Sequence, residues 1–149
     1  LEARTLVQSA FRYWIYVRVA PGAVDAERAV EPMRLAGDLW GLADALMWAQ
    51  IHSFFGGRRK DAESLHDELE SLSNQLGHVF AAWGSGSNQL YHKILDGDLT
   101  GLASFGRETL DWTRALGFPL GAGQTLGLLS LGELWVVAVT RHSSWRINR

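Results

Sequence analysis

The chain has 149 residues, 47% hydrophobic and 20% charged, with a formal charge of −2. That length and balance describe one globular domain, not a disordered chain, and the charge gives no basic face for nucleic acid. With no cysteine, disulfides and thiolate-bound metals are excluded, which suits a reducing, cytoplasmic setting.

The chain starts at Leu1-Glu2-Ala3 without a methionine or a charged-then-apolar leader. No signal peptide is read there, and the chain is expected to be a fragment of a larger protein. Leu1 to Val19, rich in Phe11, Tyr13, Trp14, Ile15 and Tyr16, predicts a first helix. "APGAVD" predicts a turn, with Asp25 as N-cap of a helix from Ala26 to Ala36. Pro32 inside that helix removes a hydrogen bond and is expected to kink or split it.

From here a period takes over. Gly37, Gly77 and Gly117 lie forty residues apart, and Gly57 and Gly97 fall midway between them. Spacings of this size mark stacked helical repeats. Glycine closes a helix readily because it adopts the left-handed conformation without a Cβ penalty. The first helix of a repeat carries Trp40, Ala43, Met47, Ile51 and Phe54 on one arc, at about 100° per residue. Ala45 and Ala49, on another side, allow close approach of a partner helix. The second helix carries Ala62, Leu65, Leu69, Leu72 and Leu76. Forty residues on, the copies read Phe80, Trp83, Ser87, Tyr91 and Ile94, then Leu102, Phe105, Thr109, Trp112 and Leu116, with Leu110 beside the polar Thr109. A third first helix matches loosely through Leu120, Gly123, Leu128, Glu133 and Leu134.

An isolated helix of this length is marginal in water, so these apolar rows must seal against neighbours. The fold expected is all-α: stacked antiparallel helix pairs in a right-handed superhelix with a repeat of about forty residues. The approximate repeats are 1–36, 37–76, 77–116 and an incomplete 117–149, all within one domain. From Ala115 to Thr140 the only charge is Glu133, long enough to span a bilayer. Five glycines and several polar residues lower its hydrophobicity, and the repeat register explains it as a buried helix, so no membrane contact is expected. "TRHSSWRINR" has no apolar row and reads as a basic chain end carrying Arg141, Arg146 and Arg149.

Motifs for chemistry fail on inspection. In "AAWGSGSNQ" Trp83 stands where a nucleophile elbow needs glycine, and no strand precedes it. Gly84, Ser85, Gly86 and Ser87 read as small residues for close packing. "GAGQTLG" has its third glycine one residue late for a dinucleotide fingerprint, and no phosphate loop exists. His52, His66, His78, His92 and His142 form no zinc motif, and His66 with Glu70 is a single solvated pair. Asp67, Glu68 and Glu70 read as a solvated face offset by Arg58, Arg59 and Lys60. No catalytic residue, metal or cofactor is expected.

One row is less ordinary. His52 and His92 are equivalent by the period, Asp44 and Trp48 precede His52 at four-residue steps, Asn88 precedes His92, and Gln124 occupies the Asp44 position of the next copy. Stacked repeats present such rows as a surface. The row predicts a binding groove with Trp48 as apolar anchor and Asp44, His52, Asn88, His92 and Gln124 as polar contacts.

"GDLTGLASFGRETLDWTRALGFP" and "LAGDLWGLADALMWAQIHSFFGGRRKDAESL" resemble tetratricopeptide-like repeats. They are most similar to those of large bacterial LuxR-type (MalT-like) regulators and cyclase-linked ATPases, over roughly residues 24 to 135. Gly57 with Ala62, and Gly97-Asp98, match the turn and the helix that follows it. The forty-residue period departs from the standard thirty-four, and the Trp-Leu-Gly-Tyr series is absent. The resemblance implies a non-enzymatic sensing or scaffolding arm in signal transduction and transcriptional regulation. Its expected partners are a protein, another domain of the parent chain, or a small regulatory ligand, with self-association through exposed repeat ends. The alternative is a helical accessory domain of an adenylate cyclase or ATPase whose catalytic residues lie elsewhere.

Overall fold

The computed structural model describes the backbone of residues 1–144 and the side chains of residues 1–137. Eight helical segments follow one another: α1 (Glu2–Ile15), α2 (Val19–Ala36), α3 (Leu39–Phe55), α4 (Arg59–Ser64), α5 (His66–Leu76), α6 (Val79–Asp96), α7 (Leu99–Ala115) and α8 (Pro119–Ser144). No strand occurs among the described residues, so the all-α class holds. The chain divides into two compact units, Leu1–Asn88 and Gln89–Arg149. The boundary falls inside α6, not at a turn glycine.

The turns obey one rule. Gly37, Gly57, Gly77, Gly97 and Gly117 all take φ between 64° and 78°. Each donates its N–H three residues back, and the next residue donates five back: Gly37 to Arg34 and Asp38 to Met33, both at 3.1 Å, are one example. This is the Schellman motif, which satisfies carbonyls that a helix end leaves orphaned. The same pair of bonds recurs where no glycine marks it. Val17 has φ 54°, its N–H reaches Trp14 at 3.0 Å, and Arg18 reaches Tyr13 at 2.7 Å. Position 17 lies twenty residues before Gly37, so it is the register's sixth turn.

This corrects the front of the chain. α1 stops at Ile15 rather than Val19, and "APGAVD" lies inside α2. Pro21 is the third residue of α2, where its missing N–H has no intrahelical acceptor to lose. Asp25 is therefore interior to the helix and caps nothing. α2 runs through Pro32 without a break in its assignment. After three of the turns a side chain caps the next helix. Asp38 and Asp98 accept the N–H of Gly41 and Gly101, and His78 Nδ1 accepts that of Ala81.

In the first unit α2 packs on both α1 and α3, α1 also touches α3, and α4 and α5 pack on α3. α3 is therefore surrounded, and Leu42, Ala43, Ala45, Leu46, Met47, Trp48 and Ala49 are all buried. Ala45 and Ala49 are fully buried. Ala62, Leu69 and Leu72 are buried as the row predicts, with Leu65 and Leu76 packed partly against the same core. Leu65 also marks the short break between α4 and α5. A Cβ on Gly84 would collide with Met47 and one on Gly22 with the His52 ring, so both glycines are contact points. Arg58 pairs with Glu27, Arg59 with Glu63, and Glu68 with Arg34.

The second unit has its own cluster of Leu90, Leu102 and Leu128, flanked by Tyr91, Ile94, Leu99 and Phe105. α7 and α8 interlock, Leu129 seating over Gly106 and Leu102 over Gly132. The inward face of α7 is Leu102, Gly106, Thr109, Leu110 and Thr113, whereas Trp112 and Leu116 are exposed. The predicted row drifts off the core because Thr109 and Thr113 turn inward, their hydroxyls bonded to the carbonyls of Phe105 and Leu110.

α8 corrects a second expectation. Only 22% of Pro119–Val137 is buried, and Leu120, Leu126, Leu131, Leu134, Trp135, Val136 and Val137 are exposed. One face, marked by Gly121, Thr125, Leu128 and Gly132, is inside. By length and composition this segment, with mean hydropathy 1.2, suffices to cross a membrane. The helix continues to Ser144, into the stretch read as a basic chain end. The side chains of Arg141, Arg146 and Arg149 lie outside the described residues.

Candidate binding cleft

The predicted row does not form one exposed rim. Trp48 is only 5% exposed, because α1 lays Phe11 and Trp14 over it with ring centroids 5.5 and 6.4 Å away. His52 is fully buried: Trp14 meets its ring edge-on at 6.0 Å, and its Nε2 lies 3.0 Å from the carbonyl of Ala10. Burial pushes the His52 imidazole below its ordinary value, and the Ala10 hydrogen bond opposes this only in part. Asn88 is buried, with its Oδ1 unpartnered. These three, with Asp44, belong to the first unit. His92 and Gln124 belong to the second, both half-buried, and Gln124 Nε2 donates to the Tyr91 hydroxyl at 3.3 Å. Trp48 is a core residue, not an exposed anchor.

Asp44 is the member of the row that faces an opening. A cavity of about 150 Å³ between α1 and the start of α3 is lined by Arg4, Val7, Gln8, Met33, Trp40, Gly41 and Asp44. Asp38, set by the turn at Gly37, caps α3 and holds Arg4, with Oδ2 accepting from Nε at 2.9 Å and Nη2 at 2.8 Å. The Gly41 N–H, and secondarily Arg4, hold the Asp38 carboxyl below the usual range.

Asp44 sits one turn further on. Its Oδ1 accepts from His78 Nε2 at 3.1 Å. On the ring's other side, His78 Nδ1 accepts the Ala81 N–H at 3.3 Å. Burial pushes the Asp44 carboxyl up, and the nearby negative charge of Asp38 adds to this, while His78 pulls the other way. Trp40 stacks on the His78 ring with centroids 4.2 Å apart and remains 52% exposed. It is thus the accessible tryptophan of α3.

Arg4, Gln8, Trp40 and His78 were not legible as site residues. Trp40 belongs to the apolar arc by spacing, but as the second residue of α3 it stands at the end of the core. The period held a clue to His78, forty residues after the capping Asp38.

Ser85 is buried within α6, with its hydroxyl 2.9 Å from His66 Nδ1 of α5, a contact between two helices and no strand-to-helix elbow. His66 Nε2 lies 3.8 Å from Glu70. Among the described residues no group of three His, Asp or Glu side chains could hold a metal ion. No protein-family model, curated protein or solved structure matches the chain.

Proposed function

We propose that the chain is a non-enzymatic, tetratricopeptide-like interaction module: stacked antiparallel helix pairs in a right-handed superhelix with a repeat of about forty residues. In this reading it serves a larger cytoplasmic bacterial signalling or regulatory protein by binding a protein partner or a regulatory ligand. The observation that carries the reading is the recurrence of one turn geometry at positions 17, 37, 57, 77, 97 and 117. Within the first unit, helix contacts also run between sequence neighbours and next neighbours, α1 with α2 and α3, α2 with α3, α3 with α4 and α5, as stacking of repeats requires.

The binding face moves from the predicted row to the cleft of Asp44 and Trp40. The test is capture of ligands and partners on the immobilised chain, beside a variant carrying Trp40→Ala and Asp44→Ala whose helicity is intact by circular dichroism. A species held by the parent chain and lost by the variant supports the reading. Retention that ignores the double substitution refutes the cleft as the binding face.

The exposed apolar side of α8 favours a second reading, a membrane-associated helical hairpin. Flotation of the chain with neutral lipid vesicles supports it, and recovery in the lipid-free fraction rejects it.

A further inference from the structure

We infer that the cleft between α1 and the start of α3 binds a small organic ammonium ion, held by the Asp44 carboxylate and the exposed face of Trp40. The inference rests on the reading of the chain as a binding module and names its ligand class.

Charge comes first. Four ionisable side chains stand at or beside the cleft: Arg4 and Asp44 in its lining, Asp38 bonded to Arg4, and His78 against Asp44 and Trp40. Arg4 and Asp38 neutralise each other through two contacts at 2.9 and 2.8 Å. Asp44 is bonded to His78 Nε2, whose ring accepts the Ala81 N–H through Nδ1; among the described residues no Lys or Arg pairs with Asp44, so its carboxylate is the cleft's excess negative charge. A half-buried carboxylate without a counter-charge is costly, and a cation that settles beside it recovers that cost. An anion would meet the same excess charge unfavourably, and Arg4 is already committed.

The walls then select among cations. A hard metal ion needs about six or more oxygen ligands, and here one carboxylate and the Gln8 amide face Val7, Met33 and Trp40. Such a wall is poor for a bare ion and suits one clothed in alkyl groups. An indole face attracts a cation within about 6 Å of its centroid, most strongly when the cation is poorly hydrated. One face of Trp40 is taken by His78, and the ring's 52% exposure leaves accessible surface for a ligand. Size agrees as well. A cavity of about 150 Å³ accepts a molecule of benzene's bulk, the class to which a trimethylammonium group belongs.

The test uses choline, tetramethylammonium and 3,3-dimethylbutan-1-ol, the last being choline's uncharged isostere, against the full ¹⁵N-labelled chain. Saturable NMR shifts at the Trp40 indole N–H and the Gly41 amide are expected with the two cations. The isostere and Asp44→Asn should each weaken binding about tenfold or more, the scale expected of one charge partner lost at a partly buried site. The asparagine can still accept the His78 proton, so this variant keeps its fold. Trp40→Leu should lose binding that Trp40→Phe largely retains. Equal binding of the isostere, unchanged affinity in Asp44→Asn, or no saturable shift at Trp40 overturns the inference. If choline fails while the capture experiment still shows loss on the Trp40/Asp44 variant, the ligand class is wrong and the binding module stands.

Discussion

Val17→Gly should stabilise the protein. Val17 holds φ at 54° in a turn whose other five copies use glycine, and the left-handed region costs an L-residue about 1–2 kcal/mol. A β-branched side chain stands at the unfavourable end of that range. The side chain is 80% exposed, so its removal sacrifices almost no burial. The bonds from Val17 to Trp14 and from Arg18 to Tyr13 are backbone bonds and survive the change. Against this, glycine brings an unfolded-state entropy cost of about 0.5–1 kcal/mol. The net gain is about 1 kcal/mol, which corresponds to a rise in melting temperature of about 4–8 °C for a unit of the first unit's size.

The gain should appear globally because α1 is part of the core: Val7 and Ala10 are buried, and Ala10 anchors His52. Thermal and urea denaturation followed by circular dichroism measures it, with Val17→Asn expected between valine and glycine because asparagine tolerates the left-handed region. The mirror substitution Gly77→Val, with open space around its Cβ position and φ 65°, should destabilise by a similar amount. A Val17→Gly protein that melts at or below the parent temperature would refute the view that all six turns share one conformational requirement.

Three further outcomes follow from local geometry. Gly22→Ala should destabilise by about 1 kcal/mol, because overpacking against the buried His52 ring costs about 1–3 kcal/mol; Gly123→Ala and Gly127→Ala, with open space at the Cβ, should each stabilise α8 by about 0.5–1 kcal/mol. Asp38→Ala removes the cap on Gly41 and releases Arg4, a loss of about 1 kcal/mol; since the folded carboxyl is held low, its contribution is present above the unfolded value near about 3.9 and fades as pH falls through the folded one. Asp44 and His52 are also shifted, in opposite directions. Asp44 is raised, so its protonated form favours folding at low pH and this is lost as pH rises through the folded value: Asp44→Asn should melt higher than the parent at pH 7 and converge with it below about pH 4. His52 is lowered, so NMR should show its ring still neutral at pH values just below the ordinary point near about 6.5, with stability lost from there downward as the buried imidazole is forced to charge.

What was legible in the chain follows a physical division. A backbone that must turn left-handed writes glycine into the sequence, so positions 37, 57, 77, 97 and 117 could be read directly. Val17 meets the same demand without glycine, so the sequence puts the first turn four residues late, at a proline that a helix's first turn tolerates. Side-chain spacing fixes which residues share a face, but not what covers it. Asp44, Trp48 and His52 do lie along α3 at four-residue steps, yet α1 covers the last two with Phe11 and Trp14 and leaves Asp44 at an opening. Those two aromatics, three residues apart on α1, were the signal that this flank had a partner. α8 shows the converse. Its apolar residues read as burial, while the structure packs only the side bearing Gly121, Thr125, Leu128 and Gly132. Four helical glycines, Gly22, Gly84, Gly106 and Gly132, each face a neighbouring side chain, whereas Gly123 and Gly127 face open space. Hydrophobicity alone cannot distinguish a covered face from a bare one, because the contact partner, not the residue, makes the difference.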